Sequence, residues 1–159
     1  MSRSILVAAA LALTATGLAS CGQDQAPADA GPQALDGITA SNGRLMLPAV
    51  AGNPGAVYFD LENSGSDNRV IRAVSVEGAG RTEMHQMAMW NGEMTMQEMS
   101  QIRANAGQTL NLEPGGLHVM AFDLDESVAA GGTTDVTVTF VGGDKVTFPA
   151  EVRAAGDER

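Results

Sequence analysis

Residues 84–99 read Met84-His85-Gln86-Met87-Ala88-Met89-Trp90-Asn91-Gly92-Glu93-Met94-Thr95-Met96-Gln97-Glu98-Met99, and they hold six of the chain's nine methionines. At their centre, Asn91-Gly92 is a pair that accepts positive φ at both positions, as a two-residue type I′ hairpin turn requires. That turn sets a register in which Trp90 faces Glu93, Met89 faces Met94, Met87 faces Met96 and His85 faces Glu98. Side chains alternate across a strand, so His85, Met87 and Met89 on one arm share a face with Met94 and Met96 on the other. Met84 and Met99 pair on the opposite face, where packing explains them. His85 and Met96 become diagonal neighbours, with Cα atoms about 7–8 Å apart and side chains long enough to converge.

Outward from this hairpin the same period-2 pattern recurs. Val57, Phe59 and Leu61 alternate with Tyr58, Asp60 and Glu62; Val136, Val138 and Phe140 form a second series, and Val146, Phe148, Ala150 and Val152 a third. Each run predicts a strand with one buried face. No stretch keeps a 3.6-residue period for three turns. Turn signals separate the runs: Asn53-Pro54-Gly55, Asn63-Ser64-Gly65, Pro114-Gly115-Gly116, Gly131-Gly132 and Gly142-Gly143-Asp144. About seven to nine short strands at this spacing predict an all-β fold, an antiparallel β-sandwich or Greek-key barrel.

The chain's 159 residues have room for one such core. Residues 1–20 read as a signal peptide: Arg3 supplies the positive region, Ile5 to Leu13 an apolar run too short to span a bilayer, and small residues follow. The end of this segment, Leu18-Ala19-Ser20-Cys21-Gly22, is similar to the lipobox of bacterial lipoproteins, which would make Cys21 a lipid anchor. A secretory signal cut nearby would instead leave a free thiol. Both readings place the protein outside the cytoplasm. Gly22, rather than Asp, after the cysteine resembles the pattern of outer-membrane sorting in Gram-negative bacteria. Residues 21–35 are polar and Ala/Pro-rich without period, a tether carrying the lipidated cysteine. The folded domain is then 36–153, with a disordered tail over 154–159.

The second histidine lies in Leu117-His118-Val119-Met120-Ala121-Phe122. Leu117, Val119 and Ala121 supply an apolar face, and His118 and Met120 project together from the other. This His-x-Met strand repeats His85-x-Met87, so bringing the two elements together would assemble two imidazoles and at least two thioethers. Thioether sulfur is a soft neutral donor suited to Cu(I), and imidazole also takes copper, whereas Ca²⁺ and Mg²⁺ want oxygen. Zinc more usually recruits Cys or carboxylate. A blue-copper site needs a Cys thiolate, and the chain's one cysteine sits in the N-terminal segment. Methionine also fills core gaps, so a Met-rich strand read alone is more often packing than a metal site, and Met84, Met89, Met94 and Met99 read first as packing or solvent-side residues.

These residues resemble the periplasmic copper chaperones of the PCuAC type, whose signature is His, ten residues, Met, twenty-one residues, then His-x-Met. His85, Met96, His118 and Met120 reproduce those spacings without a gap. The flanks are similar too: Ala56 to Asn63 resembles the family's tyrosine-bearing strand ending in Asn, Pro114-Gly115-Gly116 its turn before the second His, and Thr137 to Phe140 its late strand. The resemblance implies a cupredoxin-like sandwich holding one Cu(I) near its surface through His85, Met96, His118 and Met120; Met87, Met89 and Met94, on the same hairpin face, are candidate auxiliary ligands during copper entry or exit. It also implies copper delivery toward the Cu(A) site of cytochrome c oxidase, together with a thiol-bearing Sco-type partner. The lipid anchor departs from the soluble relatives; an outer-membrane tether would favour scavenging or relay over direct docking on an inner-membrane oxidase.

Two other classes stay open, a copper-buffering lipoprotein for copper tolerance and a non-metal β-sandwich assembly module. Nineteen acidic against nine basic side chains give a net charge of −10, which disfavours nucleic acid. An enzyme is not indicated. Asp123, Asp125 and Glu126 read as a solvated loop, and no nucleophile-elbow motif is present. Replacing Cys21 with Ser is expected to move the protein from the membrane fraction to the soluble extracytoplasmic fraction, and unchanged membrane association would refute the anchor.

Overall fold

The computed structural model describes residues 35–157, so the signal segment, Cys21 and most of the tether lie outside the described residues. Ten strands follow one another: β1 (Ile38–Met46), β2 (Gly55–Asn63), β3 (Arg69–Val76), β4 (Ala79–Trp90), β5 (Glu93–Glu98), β6 (Ile102–Ala104), β7 (Gln108–Leu112), β8 (Leu117–Leu124), β9 (Thr133–Phe140) and β10 (Lys145–Arg153). There is no helix among the described residues. Hydrogen bonding runs in the order β5-β4-β8-β7-β2-β1-β10-β9-β3-β6, with β8 also paired to β2. This row folds over on itself: β3 packs against β4, and β6 against β2 and β7, although none of these pairs shares a backbone ladder. Two layers result, with the apolar faces inside.

The alternation read from the sequence is the burial pattern found. Val57, Phe59 and Leu61 on β2 and Val136, Val138 and Phe140 on β9 are fully buried, and Phe59 meets Phe148 of β10 with ring centroids 5.0 Å apart. Each large apolar side chain so buried contributes about 1.5–3 kcal/mol. Pairing is antiparallel except between β1 and β10 and at a single bridge between β7 and β8. The first and last strands are joined by no hairpin, so they are free to run parallel.

Ten strands exceed the seven to nine expected, because three of them carry no clean period. On β1 the register shifts between Ser41 and Arg44, and on β3 between Ile71 and Ala73. Such bulges put two residues opposite one and break the alternation. At the β1 bulge a Cβ on Gly43 would stand 2.9 Å from the Phe148 ring, so only glycine lets the bent strand lie against β10. The third, β6, has three residues, too few for any period.

Asn63 ends the inner face of β2 at 1% exposure, where a polar side chain must be satisfied by the protein. Its Nδ2 donates to the carbonyls of Ala104 (3.0 Å) and Asp67 (2.9 Å), and its Oδ1 accepts from the Gly65 amide (3.1 Å). The side chain thus ties the β2–β3 turn to β6. Replacing Asn63 with Ala removes three hydrogen bonds and leaves the buried Ala104 carbonyl without this donor, so denaturant unfolding is expected to show a loss of about 2–4 kcal/mol.

Candidate metal centre

The hairpin forms as its turn dictates. Asn91 and Gly92 take φ of 51° and 86°, and the β4–β5 register pairs Trp90 with Glu93, Met89 with Met94, Met87 with Met96 and His85 with Glu98. On the inner face Met84 is buried and Met99 packs partly against the core, with the Met99 amide donating to the Met84 carbonyl at 2.8 Å.

The other half of the site arrives through tertiary pairing. β4 pairs antiparallel with β8, setting His85 directly opposite His118 and Glu83 opposite Met120. The two imidazoles stand edge to face, centroids 5.8 Å apart, and both are buried, at 8% and 7% exposure. Val119 and Met84, on the reverse of the same strands, plug the core. The site therefore occupies the outer face of one layer, with the hydrophobic core immediately beneath.

His118 is tightly specified. Its Nδ1 lies 3.1 Å from the Gly116 carbonyl, which can only accept, so Nδ1 carries the hydrogen and, in the neutral ring, Nε2 carries the lone pair. The same carbonyl accepts the Met87 amide at 3.1 Å, which locks the Pro114-Gly115-Gly116 turn to β4. Nε2 faces the Met96 sulfur at 3.3 Å. Two atoms that both present lone pairs are held in contact, an arrangement that a cation shared between them would stabilise. For ligand bonds of roughly 2.0–2.3 Å, the separation suits two donors to one ion.

His85 is held differently. Its Nε2 lies 3.2 Å from Glu83 Oε2, and its Nδ1 is buried with no hydrogen-bond partner among the described residues. An orphaned buried nitrogen beside a second imidazole fits a metal-binding role. No group of three or more His, Cys, Asp and Glu that could hold a metal occurs among the described residues, and the soft donor beside the imidazoles is the Met96 sulfur.

Met120 and Met87 share the outer face, half-buried; Met120 lies opposite Glu83 and Met87 opposite Met96. Met89 and Met94 pair further out and are 63% and 53% exposed. Met89 lies four residues from His85, roughly 13 Å along the strand, beyond reach of an ion held between the imidazoles. Three participants were not singled out as site residues from sequence: Glu83, the Gly116 carbonyl, and Tyr58, whose ring lies 6.4 Å from that of His118 and carries the Arg44 guanidinium at 5.0 Å. Strand alternation from His85 would have flagged Glu83; the other two are visible only in the fold. The acidic residues Asp123, Asp125 and Glu126 are exposed, as expected of a loop. Asp125 accepts the Ser127 amide at 2.9 Å, which holds its carboxyl below the ordinary value.

The ten-stranded, two-layer β fold, with paired imidazoles and thioethers on one outer face, is the cupredoxin-like fold of solved PCuAC domains. Solved structures share this fold. The copper-bound PCuAC domain from PmoF2 matches with a TM-score of 0.64 at 20% identity, covering 77% of this chain and 97% of that one. The Cu(I) form of DR1885 from Deinococcus radiodurans matches with a TM-score of 0.57 at 22% identity, over 80% and 85% of the two chains. Residues 38–152 match the model of the LpqE-like family, described as "Putative lipoprotein LpqE-like", and the chain belongs to that family. The "Putative lipoprotein Lxx21020" of Leifsonia xyli subsp. xyli is 34% identical over 143 residues, which is 87% of this chain and 84% of the relative.

Proposed function

We propose that the protein is an extracytoplasmic Cu(I) carrier that binds copper through His85, Met96, His118 and Met120 and hands it to a recipient. The carrying observation is the facing of His118 Nε2 and Met96 Sδ at 3.3 Å, with Nδ1 already committed to the Gly116 carbonyl. Neutral soft donors suit Cu(I) and disfavour hard cations. The copper-bound solved domains of the same fold support the same cargo.

The chemistry is binding and release rather than catalysis. The two histidines are buried, whereas Met96 is 51% exposed on a strand that, among the described residues, pairs with β4 alone. Release proceeds from the outside inward: a thiolate of the recipient displaces Met96 first, and the imidazoles follow. Met87 stands beside Met96 as a temporary ligand in that exchange, and Met89 and Met94 extend the thioether row toward solvent as capture residues.

The lipobox-like segment ending at Cys21, together with the lipoprotein descriptions of the family and its relative, supports a lipid-anchored periplasmic protein, with Gly22 pointing to the outer membrane. The resemblance to PCuAC chaperones supports a Sco-type protein and the Cu(A) site of cytochrome c oxidase as the downstream path. The anchor supports a second reading, copper sequestration at the membrane. Deletion of the gene separates them: delivery predicts lower oxidase assembly, and sequestration predicts lower copper tolerance.

His118→Ala and Met96→Leu are each expected to lower Cu(I) affinity by more than about 100-fold in a competition titration while circular dichroism stays unchanged, since even outer-shell losses cost 10–100-fold. Met120→Leu is expected to lose affinity too, and Met89→Leu to keep it. X-ray absorption of the Cu(I)-loaded protein is expected to show mixed sulfur and nitrogen donors; an all-oxygen shell or unchanged affinity in His118→Ala would reject the assignment.

A further inference from the structure

Arg81, Glu83 and His85 alternate along β4 and so share the outer face of the layer. Opposite them on β8, in register, stand Phe122, Met120 and His118. The Glu83 carboxylate divides its two oxygens: Oε1 takes the Arg81 guanidinium, and Oε2 lies 3.2 Å from His85 Nε2. Arg81 is itself held over the Phe122 ring, 3.7 Å from guanidinium carbon to ring centroid. A cation–π contact and an ion pair thereby fix the carboxylate that faces the imidazole.

We infer that Glu83 is a positioning residue that selects the tautomer of His85 and so makes Nδ1, not Nε2, the atom that binds copper; this rests on the copper-carrier reading above. An ionised carboxylate only accepts, so His85 Nε2 must carry the hydrogen. In the neutral ring the lone pair then sits on Nδ1, which is buried and has no donor among the described residues. The opposite tautomer is doubly penalised, since a lone pair would face the carboxylate and a buried N–H would lack an acceptor. A soft cation removes the one remaining cost by occupying Nδ1.

The two histidines therefore bind through opposite nitrogens. His118 is oriented at Nδ1 by the Gly116 carbonyl and binds through Nε2; His85 is oriented at Nε2 by Glu83 and binds through Nδ1. The difference arises because one orienting acceptor is a turn carbonyl two residues before its histidine, and the other a side chain two residues before on the same strand face.

Long-range ¹⁵N–¹H correlation of the copper-free protein tests this directly. His85 is expected as the Nε2–H tautomer and His118 as the Nδ1–H tautomer, and Cu(I) loading is expected to shift His85 Nδ1 and His118 Nε2. Glu83→Ala is expected to leave His85 as a mixture of tautomers and to lower Cu(I) affinity by about 10–100-fold. Glu83→Gln keeps an oxygen that accepts from Nε2–H, so it is expected to restore the single tautomer and most of the affinity. An Nδ1–H tautomer for His85 in the wild type, or wild-type affinity in Glu83→Ala, overturns the assignment. Failure of the copper-carrier reading shows separately, as unchanged affinity in His118→Ala, because the tautomers are read without copper.

Discussion

The pairing of β4 with β8, with His85 directly opposite His118, is the constraint on which the site depends. The side-chain period of a strand is two, so slipping β4 by one residue would turn His85 into the core and Met84 out to solvent, and slipping β8 would do the same to His118 and Val119. Burying an unpaired imidazole and exposing an apolar plug opposes either slip from both sides. The register that protects the hydrophobic core is therefore the one that assembles the proposed metal-binding face, so stability and the proposed chemistry rest on the same hydrogen-bond ladder.

Around that ladder the donors are graded in depth. The imidazoles sit against the sheet, each oriented by an acceptor two residues earlier in its own strand or turn. Met96 belongs to the edge strand β5 and is half exposed. Edge elements with few buried contacts open most readily, so the methionine side of the site is the side from which ligands exchange. A rigid nitrogen floor beneath a looser sulfur lid is an arrangement suited to passing a soft ion on. The row Met96, Met87, Met94 and Met89 continues from that lid to the hairpin tip, and its exposure on one outer face accords poorly with a packing role.

Much of this was legible before any fold was known. The type I′ turn at Asn91-Gly92 dictates the β4–β5 register with no tertiary information, because two positive-φ residues permit only one way to close the hairpin. The long runs of β2, β9 and β10 announce themselves by clean alternation. The strands β1 and β3 do not, since a bulge in each shifts the alternating set part-way along. Glu83 escaped notice because a carboxylate on a strand reads as a solvated residue until its neighbours are placed. Asn63 was visible only as a strand end; its burial and its ties to Asp67, Gly65 and Ala104 come from the way β6 folds over β2.

By itself, the sequence determined an all-β chain, the hairpin's register, the division of its methionines between two faces, and a soft-donor set of His and Met, because turn chemistry and strand period are local properties. The tertiary structure alone decided that β8 lies beside β4, that His118 meets both His85 and Met96, and which acceptor orients each ring. The physical reason is that β4 and β8 are separated in the chain by β5, β6 and β7, so no local rule pairs them. The pairing follows from closing one hydrophobic core, which all ten strands specify together.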